Sequence, residues 1–238
     1  MTTILGIVTD KSVFLGSDTQ ITLGNLKLAS VNSKIEIVGK NCAVAQTGSL
    51  AGLQQALKRT VQQLWIRKIL ARSGSLEVTP KELADGLSDF NFEMPLEYKD
   101  YSPAQYLLAG YEGSLSVLSS IGADGSVLDC NGYHADGSGQ QLALSLLQAQ
   151  YDHKMPDEKV ANLLRNILNQ VSRLEVHTST EFGADIFMLK EDDGINIPVT
   201  RWNFEDEPKP DAKELPVKED DKTKEPGKPK SEEGKNER

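Results

Sequence analysis

A threonine follows the initiator methionine, and three residues further along the chain are of types that could work with it. Asp18 stands sixteen positions after Thr2, in "GSDTQ". Lys34 stands sixteen beyond that, in "VNSKIEI", and Gly48 fourteen further, in "AQTGSLAG". A threonine hydroxyl is a weak nucleophile at its own pKa and needs a nearby base before it attacks a carbonyl. If Met1 is removed, the α-amine of Thr2 becomes free. Its reference pKa is about 7.7–8.0, so much of it is neutral near physiological pH, and it belongs to the same residue as the hydroxyl. Each residue also has an ordinary reading. Thr is a good strand former, Asp18 and Lys34 can be surface charges, and Gly48 can be the turn between a strand and a helix.

The elements that would position these residues can be read from hydrophobic periodicity. "TTILGIVT" and "SVFLGSD" are apolar on both faces and are separated by the turn-like "TDKS", which predicts a hairpin in a buried sheet. "SKIEIVG" and "CAVAQTG" predict a second hairpin around "GKN". After Gly48 the pattern becomes helical, with Leu50, Leu53, Leu57, Val61, Leu64 and Ile69 near helical spacing. A second helix opens at "TPKELADGL", where Thr79 is the N-cap, Pro80 the first helical residue and Glu82 the partner in a capping box. "QYLLAGYEG", "SLSVLSSIG" and "SVLDCNGYHA" read as strands, "GQQLALSLLQAQY" and "PDEKVANLLRNILNQVSRL" as helices, and "ADIFMLKED" and "NIPVTRW" as closing strands. Short turns imply antiparallel pairing. Strands that are apolar on both faces need cover on both sides. The expected fold is therefore α+β, a four-layer α/β/β/α sandwich with two mainly antiparallel sheets between helix pairs. A doubly wound parallel sheet fits less well, because strands and helices come in runs.

Composition sets the outer limits. The chain has 238 residues and a formal net charge of -9, which argues against nucleic acid as the main partner. No apolar run approaches the roughly 18 residues needed to span a bilayer. No signal-peptide pattern precedes the first strand, so a cytoplasmic location is expected and no membrane role. Cys42 and Cys130 are far apart and match no metal spacing; both are expected to be buried, reduced thiols. His134, His153 and His177 form no metal-ligand grouping, so neither a metal nor another cofactor is expected. From about Phe204 the sequence mixes Lys, Glu, Asp and Pro with hardly any apolar residues. Such a stretch buries too little surface to offset its ordering entropy. The expected organisation is one domain over residues 1–203 and a disordered, solubilising tail over 204–238.

The set Thr2, Asp18, Lys34 and Gly48, with its spacing, resembles the N-terminal-threonine hydrolases of the proteasome β-subunit family, which belong to the Ntn hydrolases. "SDTQITLGN" looks especially like the bacterial HslV peptidase. "LLAGYEG" before a strand pair and "GSGQ" at the start of a helix extend the resemblance over about residues 2–200. It implies that Thr2 is the nucleophile and its own α-amine the base. Lys34 would lower the pKa values of the amine and hydroxyl, Asp18 would hold the Lys34 ammonium, and the Gly48 N–H would face the developing oxyanion. Ser138 would be a hydrogen-bond partner of the terminal amine; its ordinary reading is a helix N-cap. By position Ile21, Gln46 and Leu50 would line the pocket for the residue before the cut, and substrate would lie extended beside the strands.

The implied activity is a threonine-type endopeptidase acting through an acyl-enzyme ester on Thr2, with peptides or unfolded proteins as substrates. The implied assembly is a homo-oligomeric ring with its sites facing an inner chamber, with an ATP-dependent unfoldase or an α-type subunit as possible partners. Two alternatives stay open. One is a transpeptidase or other amidohydrolase on the same site; the other is a non-catalytic ring subunit. The resemblance departs at one place. Active members usually carry an Asp, two residues, then Ser-Gly before the late core strand, but here the region reads "HTSTEFGADIF". Ser179 stands where the Asp would be and Phe182 where the Ser would be, so support for the N-terminal amine is altered. HslV-like members depart from that pattern too.

Overall fold

The computed structural model describes residues 2–23, 26–29, 33–48, 50–97, 104–175, 178–180 and 183–190. Two hairpins open the chain, as the turn signals predict. Strands β1 (Thr3–Val8) and β2 (Ser12–Asp18) pair antiparallel. Thr9 closes the turn between them: its N–H donates to the Ser12 carbonyl at 2.8 Å and its Oγ1 accepts from the Ser12 N–H at 3.0 Å. β3 (Gln20–Leu23) and β4 (Leu26–Ala29) form a short two-stranded sheet that the periodicity did not reveal. β5 (Ile35–Val38) and β6 (Cys42–Thr47) follow. Then come helices α1 (Leu50–Leu70) and α2 (Pro80–Glu97), and strands β7 (Gln105–Glu112), β8 (Leu115–Ile121), β9 (Val127–Asp129) and β10 (Tyr133–Gly137). Helices α3 (Gln140–Gln150) and α4 (Asp157–Leu174) and strand β11 (Ala184–Lys190) close the described fold.

The strands build two larger antiparallel sheets, ordered β10-β1-β2-β11 and β5-β6-β7-β8-β9. Strand alternation sends successive side chains to opposite faces, and the burial pattern follows it. On β2, Val13 and Leu15 pack between the two sheets, while Phe14 packs on the outer face with α3 and α4. On β7, Leu107 and Ala109 lie between the sheets, while Tyr106 and Leu108 lie under α1 and α2. Three apolar layers therefore separate four layers of secondary structure, which is the α/β/β/α sandwich expected from sequence. α4 contributes Val160, Leu163, Leu164, Ile167, Leu168 and Val171 to its layer, one stripe at helical spacing.

The capping box at α2 is present. The Thr79 N–H donates to Glu82 Oε2 at 2.9 Å and the Glu82 N–H donates to Thr79 Oγ1 at 3.2 Å. Three expectations need correction. "SVLDCNGYHA" is not one strand: β9 pairs with β8 in one sheet and β10 with β1 in the other. The chain crosses between sheets at Asn131–Gly132, an Asn-Gly pair of the kind that ends a strand. Ile69 is 60% exposed and is not part of the core that Leu57 and Leu64 of the same helix join. Cys42 is buried as expected, but Cys130 is only half-buried; both are free. "NIPVTRW" and the segment 204–238 lie outside the described residues. Among the described residues no helix is long and apolar enough to cross a membrane.

Candidate active site

The end of the β1–β2 hairpin brings the first two candidates together. In the register Ile4 lies opposite Ser17, so the start of β1 meets the end of β2. The Thr3 N–H donates to Asp18 Oδ1 at 2.9 Å, and the Gln20 N–H donates to Asp18 Oδ2 at 3.1 Å. Asp18 has no solvent exposure. Lys34 enters from the residue before β5. Its Nζ donates to Asp18 Oδ1 at 3.0 Å and to Thr2 Oγ1 at 2.7 Å. Thr2 itself is 7% exposed. One ammonium group thus bridges a buried carboxylate and a threonine hydroxyl.

Burial dominates the electrostatics of this pair. It pushes the Asp18 carboxyl up from its ordinary value, and the Lys34 charge with the Thr3 and Gln20 N–H groups pulls it back. Burial also pushes the Lys34 ammonium down, opposed by Asp18 and, more weakly, by Asp185 on β11. Leaving either charge without its partner in this setting is costly. The bond from Lys34 uses a lone pair of Thr2 Oγ1 and leaves the hydroxyl proton available to a base. It places positive charge where negative charge would grow on the oxygen.

β10 and β6 complete the surroundings. Gly137 has φ +96°, and a Cβ there would lie 1.9 Å from the Thr2 carbonyl oxygen and 3.2 Å from Thr47 Oγ1. Only glycine fits this close approach. The Ser138 N–H donates to the Thr2 carbonyl at 3.0 Å. Thr47, the last residue of β6, therefore lies beside the start of β1, and Gly48 follows it with φ +127° in the region that favours glycine. Gly48 is exposed.

Ser138 differs from its ordinary reading as a helix N-cap. α3 has Gly139 as its N-cap, with no side-chain cap, so Ser138 is not the cap. Its hydroxyl donates to Glu175 Oε2 at 2.9 Å. Thr178 Oγ1 donates to the same oxygen at 3.1 Å and is 2.6 Å from Thr3 Oγ1. Glu175, Thr178, Thr3 and Asp185 were not expected here. Nothing local marks them: Glu175 reads as one more polar residue at the end of an amphipathic helix. The Ser179 backbone N–H donates to Asp18 Oδ2 at 3.5 Å; Phe182 lies outside the described residues.

The three residues named for substrate binding fall on three elements. Ile21 is in β3 and half-exposed, and Leu50 is the first residue of α1. Gln46 is buried on β6, two residues before Gly48, and its Nε2 donates to Glu36 Oε1 at 3.0 Å. Glu36 is a further polar group that the sequence reading did not single out. Among the described residues no group of His, Cys, Asp or Glu side chains is placed to hold a metal ion.

Known proteins are similar to this chain over most of its length. A family model described as "Proteasome subunit" matches residues 1–186. The proteasome subunit beta of Nanoarchaeum equitans is 27% identical over 199 residues, covering 80% of this chain and 98% of that protein. That of Methanopyrus kandleri is 25% identical over 194 residues, covering 81% and 89%. That of Methanocaldococcus fervens is 27% identical over 211 residues, covering 87% and 86%.

Proposed function

The chain belongs to the proteasome subunit family, and on that premise we propose that it is a threonine-type endopeptidase of the proteasome β/HslV kind, with Thr2 as its nucleophile once Met1 is removed. The observation that carries this reading is the Lys34 ammonium, 2.7 Å from Thr2 Oγ1 and 3.0 Å from Asp18 Oδ1. A structural ion pair has no need to reach a threonine hydroxyl at the second residue of the chain.

The chemistry follows from the parts. The free α-amine of Thr2 takes the Oγ1 proton, directly or through a water, as Oγ1 attacks the scissile carbonyl. Lys34 stabilises the charge that grows on Oγ1, and Asp18 holds Lys34 in place. The Gly48 N–H faces the oxyanion of the tetrahedral intermediate. The amine returns its proton to the leaving nitrogen, the C–N bond breaks, and an ester on Thr2 remains. Water, deprotonated by the same amine, then attacks the ester, releasing the carboxylic acid and restoring the hydroxyl. Ile21, Gln46 and Leu50 form the wall that receives the side chain before the cut. The working form is a ring of copies in the cytoplasm, with sites turned inward and unfolded chains as substrate. α-type subunits or an ATP-driven unfoldase would govern entry.

Treatment of the Met-free protein with a β-lactone, followed by peptide mapping, tests the reading. The adduct is expected on the peptide that begins with Thr2, absent in Thr2→Ala and partly retained in Thr2→Ser. A wild type that assembles but takes no label would point to a non-catalytic subunit. One that labels but joins an added amine instead of hydrolysing would point to a transpeptidase.

A further inference from the structure

We infer that Glu175 is the carboxylate that receives the N-terminal end of Thr2, acting as a positioning residue through the Ser138 and Thr178 hydroxyls. The inference rests on the reading of Thr2 as a nucleophile whose base is its own α-amine. It names the group that holds that base, which the sequence left open where Ser179 replaces an acidic residue.

The proton directions around Glu175 are fixed by counting. A hydroxyl has one proton to give. Thr178 Oγ1 gives its proton to Glu175 Oε2 at 3.1 Å, so the 2.6 Å contact with Thr3 Oγ1 must have Thr3 as donor. Ser138 Oγ gives its proton to the same Glu175 oxygen at 2.9 Å. The carboxylate therefore orients both neighbouring hydroxyls, and the lone pairs of Ser138 Oγ remain to accept from an ammonium N–H. Ser138 is also the residue whose backbone N–H holds the Thr2 carbonyl at 3.0 Å. A hydroxyl fixed in this way, on the residue whose backbone holds Thr2, has acceptor capacity to offer the new terminus and no proton left to oppose it.

Charge gives the second argument. The positive group on Thr2 Oγ1 is Lys34, and its nearest carboxylate, Asp18, is committed to it at 3.0 Å. An N-terminal ammonium beside Lys34 would be strongly repelled, and the amine would lose basicity, unless another negative group balanced it. Asp185 contributes to the field of Lys34 from β11. Glu175 lies just past the end of α4, linked to β1 through Thr178 and to the residue before the α3 cap through Ser138. It keeps the amine basic enough to take a proton while Lys34 keeps the hydroxyl acidic enough to give one.

The test compares wild type, Glu175→Gln and Glu175→Asp as Met-free, assembled protein. The rate of β-lactone labelling of Thr2 is followed between pH 5 and pH 10. Lys34, Asp18 and Asp185 are untouched in all three. Loss of the negative charge destabilises the ammonium form, so in Glu175→Gln the midpoint of the rising limb is expected to fall by about one pH unit. The plateau rate should drop about tenfold, because a weaker base is left. Glu175→Asp should restore part of both. Gln keeps an oxygen for the Ser138 and Thr178 hydroxyls, so a purely structural Glu175 predicts the wild-type midpoint in Glu175→Gln; that result overturns the inference while leaving Thr2 as nucleophile. A wild type that takes no label overturns the inference together with the reading beneath it. If Glu175→Gln fails to assemble, Ser138→Ala decides, because it removes the hydroxyl through which Glu175 reaches the amine; an unchanged midpoint and plateau there again overturn the inference.

Discussion

Lys34 meets Asp18 at 3.0 Å beside the first residues of β1, and His134 meets Asp136 at 3.4 Å on the neighbouring strand β10. Both are cations paired with buried carboxylates, and the cation side chains are similarly covered, at 12% and 15% exposure. Their electrostatics run in opposite directions. For Lys34 the cost of burial outweighs the partner, and the ammonium is pushed down. For His134 the hydrogen bond to Asp136, with a further one to Cys130, outweighs burial, and the imidazole is pushed up to about 10. Ser120 on β8 supports Asp136 by donating to its other oxygen at 2.8 Å. The first pair holds a charge where the fold would rather not have one; the second is a charge that the fold favours. A pair of the first kind needs a functional reason, because burying an ion pair is weak support for stability. In the proposed reading, the contact with Thr2 Oγ1 supplies it.

The largest effect that would break this contrast is in Lys34. Lys34→Ala is expected to slow β-lactone labelling of Thr2 by a factor of about 100–1000, the usual cost of removing one group that stabilises developing charge. Lys34→Arg should recover little, since a planar fork does not replace a compact ammonium between two fixed oxygens. Because burial pushes Lys34 down, wild-type labelling should decline at high pH before the range near 10.4 where a free lysine titrates. Labelling that is unaffected in Lys34→Ala would reduce the pair to a structural one and erase the difference from His134.

The next effect concerns stability. The folded-state value of His134, about 10, lies above its unfolded value of 6.5. The folded protein therefore binds more protons between these values, and the contribution of the pair is complete below pH 6.5 and lost as pH rises through about 10. Replacing His134 by Gln should lower Tm most at pH 6, with the gap to wild type narrowing steadily toward pH 10. A gap that stays constant with pH would show that the loss is one of packing alone.

The contrast was legible in sequence on one side only. Thr2, Asp18, Lys34 and Gly48 were singled out by residue type, spacing and resemblance to a known family, while the strand pattern alone left each of them an ordinary reading. The sandwich itself follows from strands apolar on both faces, which leave few other arrangements. The capping box of Thr79 and Glu82 is local chemistry within one turn, and it is present as read. By contrast, Glu175 and Thr178 are brought to Thr3 by a contact spanning 175 positions, and no local pattern encodes that. The β9–β10 break was encoded, by Asn131–Gly132, but the apolar and aromatic residues on both sides masked it. The β3–β4 hairpin had too few residues for a period to emerge.

The smallest expected effect supplies the baseline for both pairs. Lys68 and Glu82 form the shortest of these cation–carboxylate contacts, 2.8 Å between α1 and the start of α2. Distance alone would rank this pair first. The Glu82 side chain is 38% exposed, however, against 0% for Asp18 and 4% for Asp136. Water screens the attraction, and holding two long side chains in one geometry costs entropy, so an exposed pair contributes about 0.2–1 kcal/mol. The capping contacts of Glu82 to Thr79 do not involve Lys68 and persist when it is removed. Lys68→Ala should therefore lower Tm by about 4 °C at most for a domain of this size. The drop should shrink further in about 1 M salt, where the screening length falls to about 3 Å. Labelling of Thr2 should not change. A fall of about 10 °C, or one that salt does not reduce, would mean that contact length rather than burial sets the strength of charged pairs in this fold, and the division between Lys34 and His134 would lose its basis.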